Sequence, residues 1–423
     1  MSTVHRHAIA TLCPLVMLSA VAHGQCEPSG IFTPYGTETF ELVEWRGHYY
    51  DAGWFHLRSR PVEGGAWVDT GGGISGGGAY TLAEPMIEWN DMLAIGGAFF
   101  SAGGVNSPCI VGWDGKAFRP LGSGLNGEVL ALTVWNGRLI AGGDFTAAGD
   151  GSPALSHVAM LDPESNEWEP LGAGLGGFPA GYGTWKIGGL CVHDGELYAT
   201  GRFTTSTGPA LNGVARFDAS ADHWRPLGSG ISGMGSGNVG TAIASHDGEL
   251  WLSGWFSQVG GVPAPWMAIW DGSSWRPAPS GPSRHCLDLL VFDGELYGVG
   301  PFSFTIGGGE WDIARFDGEA WHGFGNTDIN WPNTLKITED GRGLLTCGGF
   351  SRFNGVQTGG MVRLECPVDE PCPADLDGDG TVNGADLGLL VAGWGTATAD
   401  INGDGTTNGA DVGLMVAAWG PCD

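Results

Sequence analysis

Two short acidic segments near the C-terminus carry the clearest chemistry in this chain. One runs from Asp375 to Asp386 and the other, 25 residues later, from Asp400 to Asp411. Both place oxygen-bearing residues at the spacing of a 12-residue calcium loop. The sequence therefore predicts two bound Ca²⁺ ions. The predicted ligands are Asp375, Asp377, Asp379, Thr381, Asn383 and Asp386 in the first loop, and Asp400, Asn402, Asp404, Thr406, Asn408 and Asp411 in the second.

The loop positions predict different roles for these residues. Side-chain oxygens come from positions 1, 3 and 5, and Thr381 and Thr406 offer backbone carbonyls at position 7. The Asn at position 9 acts directly or through water, and an Asp stands at position 12, where a full EF-hand has the longer Glu. Gly380 and Gly405 allow the sharp turn at position 6.

The paired loops resemble a type I dockerin, a small bacterial domain with one helix after each loop. The resemblance covers about 372–423 and implies helices at Ala385–Trp394 and Ala410–Trp419. Dockerins attach to cohesin domains through loop positions 10 and 11, which are often Ser or Thr. Here those positions are Gly384-Ala385 and Gly409-Ala410, and the basic residues usual on the helices are absent. The implied partner is thus a cohesin-like protein or another cell-surface protein.

The rest of the chain is built from a repeat, which must position any further site. Each unit has a first hairpin followed by Gly-x-Phe and then a second hairpin. The paired landmarks of the seven units are Trp45/Phe55, Trp89/Phe99, Trp135/Phe145, His193/Phe203, His246/Phe256, Phe292/Phe302 and Glu339/Phe350. Four strands in a unit of about 40–50 residues are typical of a β-propeller blade.

We therefore predict an all-β fold with a seven-bladed β-propeller over 25–366. A six-bladed propeller is the alternative, if the degenerate first unit is not a blade. A linker at 367–374 precedes the small α-helical calcium-binding domain at 375–423. The units resemble kelch and galactose-oxidase-like propellers in their paired glycines, such as Gly142-Gly143, and in the Trp of the fourth strand.

The ends of the repeat predict how the ring closes. The last unit has a third strand at 361–364 but no fourth, and Cys26–Gly30 matches the fourth-strand segment of other units. The N-terminal segment is therefore expected to supply the missing strand, which places Cys26 across from Cys366 as a candidate disulfide. The dockerin resemblance implies that Cys372 and Cys422, which bracket the calcium loops, also pair. The pairing of Cys109, Cys191, Cys286 and Cys347 stays open.

Aromatic residues in the long loops are candidates for ligand binding. In a propeller, the loops after the second and fourth strands share one face. Phe178, Tyr182, Trp185 and Trp266 lie in such loops, and exposed rings can stack on a carbohydrate or pack against a protein. The alternative interpretation is that these rings only cap the blades.

Charge and the N-terminus indicate where the protein works. The formal net charge of −28, from 46 acids and 18 bases, excludes nucleic acid and anionic membrane surfaces as favoured partners. A basic start, the apolar run Ala8–Ala22 and small residues at Ala22 and Gly24 predict a signal peptide over 1–24. The apolar run is too short for a membrane span. We expect a secreted, extracellular or cell-surface protein.

Two functions remain after these exclusions. The first is a non-catalytic binding or scaffold protein, whose propeller binds carbohydrate or protein and whose tail attaches it. The second is a secreted enzyme acting on polysaccharide and carried by a dockerin. No phosphate loop is present, most propeller acids lie in Asp-Gly turns, and His193 and His246 occupy a structural repeat position. No catalytic residue is therefore predicted.

Overall fold

The protein is all-β apart from two short helices near its C-terminus, which confirms the predicted class. None of the helices in the described part of the chain is long and apolar enough to cross a bilayer. The proposed signal peptide at 1–24 lies outside the described residues. The computed structural model describes residues 27–29, 39–53, 56–76, 82–179, 186–206, 210–279, 281–306, 309–328, 332–365, 372–377 and 381–421.

Seven antiparallel sheets of four strands each dominate the described chain. We number them sheets 1 to 7 by their first strands. These first strands are Thr39–Trp45, Leu82–Trp89, Val129–Trp135, Ile187–His193, Val239–His246, Asp288–Phe292 and Pro332–Ile337. The second strands are His48–Gly53, Met92–Ala98, Arg138–Gly143, Glu196–Gly201, Glu249–Trp255, Glu295–Ile306 and Gly343–Gly348.

The outer two strands of each sheet complete the same order, so that each strand pairs with its neighbour in the chain. The third strands are His56–Pro61, Ile110–Trp113, Val158–Leu161, Val214–Asp218, Met267–Trp270, Gly309–Phe316 and Met361–Glu365. The fourth strands of sheets 1 to 6 are Val68–Asp69, Phe118–Pro120, Trp168–Pro170, His223–Pro226, Trp275–Pro277 and Trp321–Gly325.

Sheet 7 takes its fourth strand from the other end of the chain. Glu27–Ser29 pairs with the third strand, and Pro28 lies opposite Leu364. This confirms the prediction that the N-terminal segment completes the last unit. The first strand of each sheet contacts the first strand of the next, and that of sheet 7 contacts that of sheet 1. The sheets therefore follow one another in a cyclic order.

The hairpin turns adopt the backbone that their sequences predict. Asn136 and Gly137 have φ values of 51° and 75°, and Asp194 and Gly195 have 50° and 76°. Positive φ at both central residues is what a two-residue turn needs to match the twist of its strands. The Asx-Gly pairs therefore act as turn-formers.

Short strands outside the sheets tie neighbouring units together on one face. Ile74–Ser75, after the fourth strand of sheet 1, pairs with Ser101–Ala102, after the second strand of sheet 2. Ile231–Ser232 pairs with Gln258–Val259 in the same way. The prediction that these two kinds of loop share a face is confirmed, and we call it the loop face. Its other short elements are the strands Val105–Asn106, Val262–Pro263, Arg352–Phe353 and Val356–Gln357 and the 3₁₀ turn Gly235–Gly237.

Repeated indole groups connect one sheet to the next. Trp168 and Trp224, on fourth strands, donate Nε1–H to the carbonyls of Leu121 at 3.0 Å and Leu171 at 3.2 Å in the preceding units. At the end of the first strand, Trp135 donates to the turn carbonyl of Gly195 at 2.8 Å. Indole N–H groups usually find partners when buried. The repeated Trp side chains thus satisfy their N–H groups with hydrogen bonds that join neighbouring sheets.

His246 shows that the imidazole can replace the indole in this contact. Its Nε2 lies 2.9 Å from the carbonyl oxygen of Gly294 in the next hairpin turn. His193 is also buried, with Nδ1 2.8 Å from the hydroxyl of Ser245. Both histidines therefore join neighbouring sheets, as their repeat position predicts.

The C-terminal region has a small core of its own. Helix α1 spans Gly384–Ala392, helix α2 spans Gly409–Ala417, and the strands Thr381–Val382 and Gly420–Pro421 pair. The helices begin one residue earlier and end two residues earlier than predicted. Leu390 and Met415 lie in the core, with Val382 between them in the same cluster.

Candidate functional sites

A cavity of about 940 Å³ lies where the first strands of the seven sheets come together. Cavities of about 300–1,000 Å³ are typical of small-ligand sites. Every sheet contributes to its wall, so the cyclic arrangement creates it. One lining residue from each sheet, in order, is Glu41, Pro85, Ala131, Gly189, Thr241, Asp288 and Thr334.

An ion pair between sheets 1 and 7 occupies part of this wall. Lys336 Nζ lies 2.7 Å from Glu41 Oε1. Burial alone would lower the pKa of Lys336, but the carboxylates of Glu41 and Asp288 outweigh it and raise that pKa. Asp288 accepts hydrogen bonds from the Thr334 hydroxyl at 3.1 Å and the Leu335 N–H at 2.9 Å. The positive charge of Lys336 and the carboxylates of Glu41 and Asp288 therefore stabilise one another.

The variable residue of Gly-x-Phe reaches the cavity in two sheets. Arg202 in sheet 4 and Trp255 in sheet 5 both line it. The preceding Gly201 and Gly254 have no room for a Cβ atom, which would overlap the carbonyl oxygens of Lys186, just before the first strand of sheet 4, and Val239, at the start of that of sheet 5. Glycine therefore lets the two strands approach closely, and the next side chain is held at the cavity.

The ring of Trp255 is exposed, and two neighbouring side chains fix its orientation. Its side chain is 40% exposed, and its ring packs edge-on against Trp266 with centroids 5.7 Å apart. Its Nε1 donates to Nε2 of His285 at 2.9 Å. A ring held by two neighbours keeps one orientation, so its free face is available for stacking without further ordering.

The same hydrogen bond decides the tautomer of His285. An indole N–H can only donate, so Nε2 must accept and the imidazole proton lies on Nδ1. Burial, with help from the charge of Arg284, lowers the pKa of His285 to about 4. Among the described residues, this buried Nδ1 has no hydrogen-bond partner. Arg284 and His285 both line the cavity.

The predicted aromatic ligands fall in different places. Trp266 lies against Trp255, which lines the cavity. Phe178 instead packs edge-on against His157, with ring centroids 4.6 Å apart, and contacts the buried core of sheets 3 and 4. Tyr182 and Trp185 lie outside the described residues.

Of the predicted ligand residues that the structure describes, neither Phe178 nor Trp266 lines the cavity, whereas Arg202, Trp255, Arg284 and His285, which were not predicted, do. A signal for two of them exists in the repeat. The Gly and Phe of Gly-x-Phe recur, while x changes from Ala to Asp, Arg and Trp between units. Variation at one position of a constant frame is a sign of a functional position. Arg284 and His285 belong to a loop and carry no such signal.

A pair of carboxylates lies on the loop face between sheets 3 and 4. Asp144 is the variable residue of Gly-x-Phe in sheet 3, and Lys186 Nζ is 3.9 Å from its Oδ2. Burial raises the pKa of Asp144, against the opposing effect of Lys186. Burial also raises the pKa of Glu128, and the negative charge of Asp144 raises that pKa further. The sequence analysis expected no such pair.

The first acidic loop gathers three carboxylates. Single oxygens of Asp375, Asp377 and Asp386 all lie within 4.8 Å of one another. Asp386 is buried and accepts backbone N–H groups from Leu376, Asp377 and Asn383 at 2.8–3.1 Å. Burial by itself would raise the pKa of Asp386, but these hydrogen bonds hold that pKa below its usual value. Asp379 lies outside the described residues.

The second loop repeats this arrangement. Asp411 is buried and accepts N–H groups from Ile401, Asn402 and Asn408 at 2.7–3.1 Å. The N–H of Asn408 leads the effects that lower the pKa of Asp411. Within the loop, Asp400 accepts the N–H of Asp404 at 3.2 Å, and Asp404 accepts the N–H of Thr406 at 3.0 Å.

The predicted position-9 residues cap the helices. Asn383 Oδ1 accepts from the N–H of Ala385 at 2.8 Å, and Asn383 Nδ2 donates to the Thr381 carbonyl at 2.8 Å. Asn408 makes the same two contacts with Ala410 and Thr406. Each helix also has a full capping box, closed by the Asp at loop position 12.

The described cysteines divide into two kinds. Cys109, Cys191, Cys286 and Cys347 are free thiols, whereas Cys372 is disulfide-bonded. Cys26, Cys366 and Cys422 lie outside the described residues. The pairings Cys26–Cys366 and Cys372–Cys422 therefore stay predictions.

Comparison with known proteins finds similarity among solved structures alone. No protein-family model and no curated protein matches the chain. The chain is similar to PorZ, a bacterial surface component of the type-IX secretion system of Porphyromonas gingivalis, with 14% identity and a TM-score of 0.47. The alignment covers 83% of this chain and 50% of PorZ, so the chain spans about half the length of that protein. A similarity of this size carries no argument about function.

Proposed function

We propose that this chain is an exported, non-catalytic binding protein with two parts. Its seven sheets are the blades of a seven-bladed β-propeller that presents a ligand-binding face to carbohydrate or protein. Its C-terminal region is a calcium-stabilised, dockerin-like module for attachment. The observation that carries the binding role is the cavity of about 940 Å³, which all seven sheets line and which Trp255 borders with an exposed ring.

The propeller proposal is supported by topology. Seven sheets of the same strand order contact one another in cyclic sequence. The strand Glu27–Ser29 joins the N-terminal end of the chain to sheet 7. Such a closure pairs the edge that an open array of sheets would leave exposed.

The export proposal depends on the predicted signal peptide at 1–24. An extracellular or cell-surface location also permits the two candidate disulfides. A metal-dependent tail suits that location, because calcium is abundant outside cells and weak extracellular sites suffice there.

The calcium proposal is supported by the chemistry of the loops. Calcium prefers hard oxygen ligands, and the carboxylates of Asp375, Asp377 and Asp386 converge in the first loop. Asp400, Asp404 and Asp411 are the corresponding acids of the second. A bound ion would neutralise these charges and hold each loop closed. We assign Asn383 and Asn408 mainly to helix capping, since their amides already have backbone partners.

The attachment proposal is supported by exposed apolar side chains on the two helices and just after their C-terminal ends. Leu389 and Trp394 follow the first loop, and Leu414 and Trp419 occupy the same positions after the second. Their exposed fractions are 45%, 54%, 44% and 51%. A cohesin-like protein or another cell-surface protein would cover them, as exposed apolar patches often mark interaction sites.

One observation favours the alternative function, an enzyme that acts on polysaccharide. Glu128 and Asp144 are two interacting carboxylates with raised pKa values, and glycosidases use a pair of carboxylates. Burial at the junction between sheets 3 and 4 is the largest cause of both raised pKa values and accounts for them without a catalytic role. The binding role therefore remains the proposal.

A glycan array combined with an assay for released reducing sugar separates the two functions. We expect the mature protein to bind at least one array component without releasing sugar. Sugar release that Asp144→Asn or Glu128→Gln abolishes would overturn the non-catalytic assignment. Thermal unfolding of each variant serves as the control for folding.

A further inference from the structure

We propose that Trp255, Arg284 and His285 form a binding site for a carboxylate-bearing sugar unit of an acidic polysaccharide. We call these three residues the acidic-sugar site. The inference rests on the proposed binding function and names the substrate class for its cavity. It also makes one side of the cavity, formed by sheets 5 and 6, the recognition surface.

Trp255 supplies the stacking surface. A sugar ring has an apolar C–H face, and Trp offers a large ring that keeps one polar edge for hydrogen bonding. Here that edge is already used, because Nε1 is bonded to His285 at 2.9 Å. Trp266 supports the ring from the side. Binding would therefore cost little side-chain entropy, which favours affinity.

Arg284 supplies the charge. Its side chain is exposed and has no ion pair within the part of the chain that the structure describes, although it lines the cavity. Arg202 lines the same cavity. Lys336, in contrast, is held by Glu41 at 2.7 Å. An arginine facing a ligand cavity can hold a carboxylate through two parallel hydrogen bonds.

The net charge of −28 does not oppose this assignment at close range. At physiological ionic strength, charges are screened over about 8 Å. The charges that act most strongly on an acidic ligand in the cavity are therefore those of its lining, where Arg202, Arg284 and Lys336 stand against Glu41 and Asp288. The described lining thus holds three bases and two acids, whereas the whole chain has 18 bases and 46 acids.

His285 supplies a hydrogen-bond donor. Its side chain is 6% exposed, and its Nδ1–H is buried without a partner among the described residues. A buried donor left unpaired is unfavourable, because it has lost its hydrogen bonds to water. A small side-chain shift that brought this donor to a carboxylate or hydroxyl oxygen of a ligand would recover that cost. His285 thereby links the orientation of Trp255 to ligand recognition.

The test measures binding of an oligogalacturonate to the full mature chain by titration calorimetry at physiological salt. Its neutral oligogalactan counterpart and a sulfated oligosaccharide serve as comparison ligands. We expect the oligogalacturonate to bind about tenfold or more tightly than the neutral ligand. Trp255→Ala and Arg284→Gln should each weaken it about tenfold.

Two matched variants control for general effects. Phe100→Ala removes another exposed ring of the loop face, 60% exposed and away from the cavity lining. Lys116→Gln removes one positive charge from an exposed turn, so it changes the net charge as Arg284→Gln does. Neither variant should change binding by more than about twofold if the recognition is local.

The outcomes separate this inference from the proposed function. Equal binding of the neutral ligand, with no effect of Arg284→Gln, would overturn the acidic-sugar site but keep a carbohydrate-binding protein. Preference for the sulfated ligand would overturn the carboxylate assignment. No binding of any of these ligands by folded protein would also overturn it. Release of sugar from the oligogalacturonate would overturn the non-catalytic function instead.

Discussion

Replacement of Arg363 by Met should open the junction between the last sheet and the first. Arg363 lies on the third strand of sheet 7, and its Nη1 donates to Glu44 Oε2 at 2.8 Å and to the Tyr49 hydroxyl at 3.0 Å. Its Nη2 donates to Asp340 Oδ2 at 3.1 Å. Glu44 and Tyr49 belong to sheet 1. This guanidinium therefore joins segments more than 300 residues apart.

The burial of the pair determines the expected loss of stability. The Arg363 and Glu44 side chains are only 12% and 7% exposed. Breaking a buried ion pair by removing one partner costs about 3–5 kcal/mol, because the other charge stays buried. We expect the lower end, about 3 kcal/mol, because Glu44 can relieve the charge by binding a proton. Such a loss changes the folding equilibrium about a hundredfold.

The pH dependence gives a second, independent readout. Burial raises the pKa of Glu44, and the charge of Arg363 opposes that rise. A carboxyl group with a raised folded pKa holds its proton more tightly when folded, so the free energy of unfolding falls as pH rises through the interval between the two pKa values. Without Arg363 the pKa of Glu44 in the folded protein rises further, so the interval between the folded and unfolded pKa values extends to higher pH. Arg363→Met should therefore lose more stability at neutral pH than near the ordinary glutamate pKa.

Urea unfolding at these two pH values measures both effects. Arg276→Met is the matched control, because its ion pair with Glu249 is more exposed, at 47% and 28%, and should contribute less than about 1 kcal/mol. Glu44→Gln in the Arg363→Met background should recover part of the loss. A loss no larger than that of the control at neutral pH, or a loss independent of pH, would refute the reasoning.

Three further results are expected. Gly143→Ala should cost more than about 2 kcal/mol in urea unfolding, because its Cβ would overlap the carbonyl oxygen of Glu128, just before the first strand of sheet 3, whereas Gly176→Ala, with open space around it, should be nearly neutral. Titration calorimetry should show two calcium ions bound per chain, and Asp375→Ala or Asp400→Ala should each remove one; a wild-type chain that binds none would contradict the calcium assignment. Denatured mature protein should expose the four free thiols, and native protein should react slowly with a thiol reagent, since burial raises the pKa of Cys109 to about 11; a count of eight would exclude both candidate disulfides.

The C-terminal helices show where local signals predict well and where they stop. Asn383 and Asn408 cap the helices that follow the loops, because a side-chain oxygen there satisfies a free N–H of the first turn. The helix ends were predicted two residues too late. Gly393 and Ala418 end the helices at their C-caps, and propensity alone did not indicate this. Leu389 and Leu390 are adjacent in sequence, yet only the packing of the two helices decides that Leu390 is buried and Leu389 is exposed.

The sequence by itself indicated the repeated hairpins, their turns and the pairing of the N-terminal segment with sheet 7. Turn geometry depends on neighbouring residues, so Asn136-Gly137 and its equivalents identify hairpins without any knowledge of distant contacts. The match between the N-terminal segment and a fourth strand predicted the pairing with sheet 7. Only the tertiary structure decided which side chains share the central cavity. Arg202, Trp255 and His285 come from different sheets, and their burial and hydrogen bonds exist only when those sheets pack side by side.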